Sequence, residues 1–232
     1  MGEALLFDRF WEDFLGGPLA AGVTVVPHAG LAGYSGVWFF VRGEACVVSA
    51  PPGWCDRLEV ALAHATLDAV MSEEGLRSLF GDAFDCTVGP SWLGSLLPGG
   101  FRPVGSDAVR SATSAELEIL RNACSPEDAA AAGLQDDGAY GWFAAGEILA
   151  AASMTRWGET EGRPVVGPGV LSRRDGCGKA VVSAVCDEAL RDGELVLYQT
   201  LRENERAVGL ARQLGFAFYA SHVAVRLQRA TP

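Results

Sequence analysis

Residues 165–216 read VVGPGVLSRRDGCGKAVVSAVCDEALRDGELVLYQTLRENERAVGLARQLGF. In this stretch Arg173, Arg174, Gly176, Gly178 and Lys179 lie between an apolar strand and an amphipathic helix whose inner face is Val181, Val182, Val185, Cys186 and Ala189. Glycines just ahead of a helix let main-chain N–H groups converge, and the helix N-terminus adds partial positive charge. Such a loop suits phosphate or pyrophosphate. The same pattern also serves as an ordinary strand-to-helix turn, and the loop alone is compatible with both. Charge distinguishes it. The chain has 29 acidic and 18 basic residues for a net charge of −11, and its only lysine is Lys179. So local a cationic cluster in so acidic a chain is the best single pointer to function.

The rest of the composition narrows the class. At 232 residues and 49% hydrophobic content the chain can bury a real core and is not generally disordered. Its negative charge argues against nucleic acid or an anionic membrane as partner and favours a cationic or neutral one. No run approaches the roughly 18–20 apolar residues of a membrane span. The first residues, with Glu3, Asp8, Glu12 and Asp13, read as an amphipathic helix and not as a signal peptide. Cys46, Cys55, Cys86, Cys124, Cys177 and Cys186 are scattered, and His28, His64 and His222 are not paired with them. The expectation is reduced thiols in a cytoplasmic protein, with no metal site. Oligomeric state is not fixed by the sequence, and a homodimer stays open.

Several elements must position the loop. Apolar spacing predicts a helix over 4–14, strands at Val23–Pro27, Val37–Val41 and Ala45–Ser49, one helix from Cys55 to Met71 and another over Glu74–Leu79. A strand near Cys86–Val88 is followed by Gly- and Pro-rich Pro90–Pro103, which reads as a loop or a partner-facing segment. Beyond residue 105, Ser114 to Glu116 can cap a helix, and Ser125-Pro126 opens another. Ala139–Ala145 and Glu147–Met154 form a hairpin, Pro164–Val170 a strand, and Glu194–Thr200 a buried strand. A helix from Asn204 stops at Gly215, and a last strand runs through Leu227. The expected class is α/β (or α+β), divided into an N-terminal α/β domain over 1–105 and a second domain over 106–232. Helix, hairpin, strand and helix recur in both parts, so the first could be a diverged half-copy of the second or an unrelated cap.

Two ordered motifs here resemble the GNAT superfamily of acyl-CoA-dependent N-acyltransferases over roughly residues 110–227. Arg173-Arg174-Asp175-Gly176-Cys177-Gly178 is similar to its phosphate motif. Asn204 followed by a helix ending in Leu214-Gly215-Phe216 is similar to its later motif. The resemblance implies a GNAT-like mixed central sheet flanked by helices, and acetyl-CoA as acyl donor. It implies that main-chain amides from Arg174 through Gly176, Cys177, Gly178 and Lys179 to Ala180 hold the diphosphate, with charge added by Arg173, Arg174 and Lys179. The strand Val165–Val170 would splay from Glu194–Thr200 and pair with pantetheine at Gly169 and Val170, and Gly167 and Gly169, with Pro168, suit a place where a ligand backbone approaches closely. Asn204 would bond the pantetheine arm, and an amide near Val170 would polarise the thioester.

The chain departs from the family where the last helix commonly carries a general-acid tyrosine, because that position is Ala211. Tyr219 and Tyr198 are the replacement candidates. Glu194, read as starting its strand at the splay, and Glu147 are the candidate bases, each weighed against a structural role. Trp54 and Trp92 could wall an acceptor pocket, expected between the two halves. These readings imply an N-acetyltransferase acting on a primary amine, most simply a small molecule, by direct attack. The alternatives are a non-catalytic coenzyme-A-binding regulatory module and a nucleotide-binding protein. Ala180 speaks against the last, because a Walker-type loop needs Ser or Thr there to hold magnesium.

Overall fold

The computed structural model describes residues 2–174 and 176–228. Two compact units share the chain. The first takes residues 1–94, 199–208 and 218–232, and the second takes 95–198 and 209–217.

The first unit begins with helix α1 (Glu3–Leu15), then β1 (Gly22–Pro27), β2 (Val37–Arg42) and β3 (Ala45–Ala50). Helices α2 (Cys55–Leu62), α3 (Leu67–Val70) and α4 (Glu73–Phe80) follow and lead into β4 (Phe84–Leu96). From the far end of the chain comes β10 (Ala217–Leu227), and the strand order is β1-β3-β2-β10-β4. β1 is parallel to β3, and β2 is antiparallel to both β3 and β10. Side chains alternate across a strand. Trp38 and Phe40 therefore meet Trp11 and Phe14 of α1 on one face, while Val37 and Phe39 join Leu58, Leu62, Leu76 and Phe80 on the other. Because β10 lies between β2 and β4, residues 1–105 do not close a sheet on their own.

Two expectations in this unit change. The helix predicted over Cys55–Met71 breaks after Leu62, because the Thr66 side chain accepts from Ala69 N and starts α3, and Ser72 likewise starts α4. The Pro90–Pro103 segment is strand as far as Leu96. Trp92, Leu93 and Leu96 are buried there, so packing overrides the Gly and Pro content that reads as loop.

The second unit holds β5 (Val109–Ser111), α5 (Ser114–Asn122), α6 (Pro126–Ala131), β6 (Tyr140–Ala144), β7 (Glu147–Thr160), β8 (Arg163–Ser172) and α7 (Gly178–Arg191). β9 (Leu195–Leu201) and α8 (Glu205–Leu214) begin or end in it. The order is β9-β8-β7-β6-β5; each neighbouring pair from β5 to β8 is antiparallel, and β9 joins β8 in parallel. Thr113 and Glu116 form a reciprocal capping box on α5, and Ser125 with Pro126 starts α6. Leu117 and Leu120 of α5 pack with Ala151 and Leu171 on one face of β7 and β8. On α7, Val181, Val182, Val185, Cys186 and Ala189 are among the buried positions.

Helix α8 ends in a Schellman motif. Phe216 N–H bonds Ala211 O at 3.0 Å, Gly215 N–H bonds Arg212 O at 3.1 Å, and Gly215 has φ +99°. A Cβ at Gly215 would also collide with the carbonyl oxygen of Gly100. Both the dihedral and the space demand glycine. Gly215→Ala is therefore expected to cost about 3 kcal/mol in urea unfolding, well beyond an ordinary glycine-to-alanine change; a loss under about 1 kcal/mol would show that neither constraint acts.

Candidate functional site

The loop between β8 and α7 is tied down where it leaves the strand. Arg173 N–H bonds Leu149 O at 2.9 Å, and Ser172 Oγ donates to Arg174 O at 2.7 Å. Gly176 sits at φ +87°, in the left-handed region, and Cys177 precedes α7 with no side-chain hydrogen bond to the helix amides. The first amides of a helix have no intrahelical partner. Among the described residues no side chain caps those of α7. Arg173 and Arg174 are exposed, and Lys179 is half-buried with its Nζ donating to Gln213 Oε1 at 3.0 Å. Ala180 is buried in the first turn. Asp175 lies outside the described residues.

Three glycines here answer to three different causes. Gly176 is required by its dihedral. A Cβ on Gly178 would make ordinary contacts, 3.7 Å to Val170 Cγ2 and 3.7 Å to Leu210 Cδ1, so protein packing does not demand glycine there. At Gly169 a Cβ would collide with the carbonyl of Gly133 in the α6–β6 connection. The close approach expected of a ligand at Gly169 is thus made, on that face, by the protein's own backbone. That connection is strapped down further, with Gln135 N–H bonding the buried Ser153 Oγ at 2.7 Å.

The edge of β8 carries the more telling feature. β8 pairs with β9 at Val165–Leu195 and Val166–Val196, and then the strands part. The antiparallel register with β7 runs on, matching Ala152 to Val170 and Ala150 to Ser172. In such a ladder alternate residues exchange hydrogen bonds. Because Arg173 N–H bonds Leu149 O in this register, Leu171 and Gly169 also face β7, and Ser172, Val170 and Pro168 face the side that β9 has left. Pro168, which has no N–H, suits an edge. The sequence signal for this parity was present in Gly167-Pro168-Gly169, but only the register turns it into a direction for Val170.

The remaining candidates are placed as follows. Glu194 precedes Leu195, at the paired end of two parallel strands, so it stands away from the splay at which it was expected. It is beside the C-terminal turn of α7, its N–H bonding Ala189 O at 2.9 Å. Burial, then Asp192, push its carboxyl above the usual range. Tyr219 belongs to the first unit, where its hydroxyl donates to Asp8 Oδ1 at 2.7 Å and Arg42, itself paired with Asp8, covers its ring. Burial and that hydrogen bond hold its proton far above the ordinary phenol range, the wrong direction for an acid at neutral pH. Tyr198 is buried against Phe216 and pushed up to about 12 by burial. Ala211 is fully buried. Asn204, also in the first unit, caps α8 by accepting from Ala207 N at 3.1 Å, which leaves its amide NH2 as the group with donors. Trp92 is buried against Phe218, and Trp54 packs on Phe80 under Arg57, so both serve the first unit's interior. Glu147 is exposed behind the Ala145-Gly146 turn. Burial pushes the Cys177 thiol up while Arg174 opposes it. No helix among the described residues is long and apolar enough to cross a membrane.

No protein-family model matches the chain, and no curated protein matches it. Solved structures of GNAT-family acetyltransferases match over most of its length. A GNAT-family acetyltransferase from Colwellia psychrerythraea is 15% identical, covering 80% of this chain and 77% of its own, with a TM-score of 0.48. A GNAT-family protein from Novosphingobium aromaticivorans is 17% identical over 79% of this chain and 84% of its own, at 0.47. The yncA protein from Salmonella typhimurium, solved with its cofactor acetyl-CoA, is 17% identical over 53% of this chain and 95% of its own, at 0.40.

His222 is a structural group with a measurable signature. It is buried, and its Nδ1 accepts from Trp38 Nε1 at 2.6 Å, so the neutral ring carries its proton on Nε2. Burial lowers its pKa from 6.5 to about 4. Below pH 6.5 the unfolded chain takes a proton that the folded one refuses, so stability falls as pH drops through that window and is constant above it. The loss approaches roughly 3 kcal/mol near the folded value. Urea midpoints are expected to fall between pH 6.5 and 4, and the His222→Phe variant to lose most of that slope, His28 supplying a smaller one of the same sign.

Proposed function

We propose that the chain is an N-acetyltransferase that moves the acetyl group of acetyl-CoA onto a primary amine by direct attack. One observation carries the reading: the outward-facing backbone of Val170 lies beside the N-terminus of α7, with Val170 Cγ2 3.7 Å from where a Gly178 Cβ would stand. A strand edge without its neighbour suits an amide-bearing arm, and an uncapped helix start suits a diphosphate. The donor set fits such a molecule: main-chain N–H groups from Gly178 onward, flanked by Arg173, Arg174 and Lys179.

Acetyl-CoA supplies an activated thioester. The chain's own residues hold and orient it. The amides of α7 and the cationic loop take the phosphates, and Val170 N–H donates to the thioester carbonyl as negative charge grows there. The neutral amine nitrogen then bonds the carbonyl carbon, the carbon–sulfur bond breaks with its electron pair going to sulfur, and the proton shed by nitrogen passes through water to the departing thiolate. A thiolate is a better leaving group than an amine, as the cysteine and lysine reference values of about 8.5 and about 10.4 illustrate, and it leaves without a strong acid behind it, in keeping with Ala211 at the position where the resembling family carries tyrosine. The net charge of −11 supports a cationic small-molecule amine as acceptor. A non-catalytic coenzyme-A-binding module is the second reading, favoured by the engagement of Tyr219 with Asp8.

Lys179→Glu separates binding from folding. A carboxylate in the first turn of α7, which has none, favours the helix but repels phosphate. The variant is expected to melt at or slightly above the wild-type temperature and to bind acetyl-CoA at least about tenfold more weakly. Unchanged affinity would remove this loop from the function. Thiol release across a panel of amines distinguishes the enzyme from the binding module.

A further inference from the structure

β1 is the outermost strand of the first unit, and its ladder parity decides what its outer edge offers. Gly22 N–H bonds Glu44 O at 2.9 Å, and His28 N–H bonds Ala50 O at 2.9 Å. In a parallel pair alternate residues make these bonds, so Gly22, Thr24, Val26 and His28 face β3. Val23 and Val25 turn both N–H and C=O outward, and Pro27 turns a carbonyl.

Alongside this edge runs a groove of about 520 Å3, with Val23 and Val25 on one side and Leu62, Ala63 and Ala65 at the end of α2 on the other. Its rim carries Glu59. Glu59 and Asp56, after burial, raise the pKa of Cys55, which marks the local field as negative. The cation on the same helix, Arg57, is held over the Trp54 ring at 5.0 Å.

We propose that this edge is a strand-addition site for an extended peptide bearing an apolar and a basic side chain on the face it turns toward α2. The peptide main chain would pair with Val23 and Val25, its apolar side chain would enter the groove, and its cation would meet Glu59. Charge selects this occupant over a second copy of the chain. Pairing β1 with β1 would bring two Glu59 rims together in molecules that each carry −11.

The probe is a blocked pentapeptide with valine at both ends, lysine at the centre and serine between, titrated into the full chain. Binding is read by fluorescence anisotropy and by amide hydrogen exchange. The lysine peptide is expected to slow exchange at Val23 and Val25 selectively. Glu59→Lys, an exposed change that leaves folding intact, is expected to weaken it about tenfold and to strengthen a glutamate-centred version. Val25→Pro removes an outward N–H that β3 does not use and is expected to abolish binding. Equal affinity in Glu59→Lys, or no protection of Val23 and Val25, overturns the proposal. So does protection that rises with protein concentration in the absence of peptide, because the occupant is then a second copy.

Discussion

The parting of β8 from β9 after Val166–Val196 is the constraint from which the candidate site follows. A strand buried between two neighbours spends its hydrogen bonds on both, and a strand that loses one must direct half of them elsewhere. β8 continues for six residues beyond its last β9 partner while keeping its register with β7, which fixes the direction of each peptide group. Pro168 falls where an N–H is not needed for the ladder, and Val170 presents both of its groups. The helix that follows starts within a few residues and packs on the same strand, so its first amides and that open edge lie side by side. One elongated ligand with a charged end and an amide-bearing body matches both.

Rigidity around this edge comes from opposite faces of the same sheet. On one face Leu117 and Leu120 of α5 pack with Ala151 and Leu171, and the α6–β6 connection sets the Gly133 carbonyl against Gly169. On the other, Val170 and Ser172 lie against Gly178 at the start of α7. Burying several such aliphatic side chains, each contributing about 2 kcal/mol, holds the backbone of β8 more firmly than hydrogen bonds on one side could. An edge held in this way changes little when it receives a partner, which lowers the entropy lost on binding.

Much of this was legible in the sequence. The loop glycines, the cationic cluster, the stop at Gly215 and the helix starts at Ser125 and Asn204 are local signals, and local chemistry decides them. Position in space was not legible. Sequence order puts Glu194 at the splay because its strand begins there, whereas the parallel pairing puts the beginning of β9 at the closed end. By sequence Gly169 suits a close ligand approach, and its contact with Gly133 is a tertiary fact that no spacing announces. Nothing near Tyr219 in sequence announces that Asp8, more than two hundred residues away, accepts the hydrogen bond of its hydroxyl. The Pro90–Pro103 stretch failed for the same reason, since burial of Trp92 and Leu93 outweighs its turn-forming composition. The division of the chain into units that each draw on distant segments also lies beyond any reading that proceeds along it.

Residue-resolved amide exchange of the full chain, with and without acetyl-CoA, goes most directly to the heart of this account. It predicts strong slowing at Val170 and at the α7 amides from Gly178 to Ala180, with little change at Gly169, whose N–H already serves β7. Slowing that spares Val170 and the start of α7, or no slowing at saturating ligand, would contradict it.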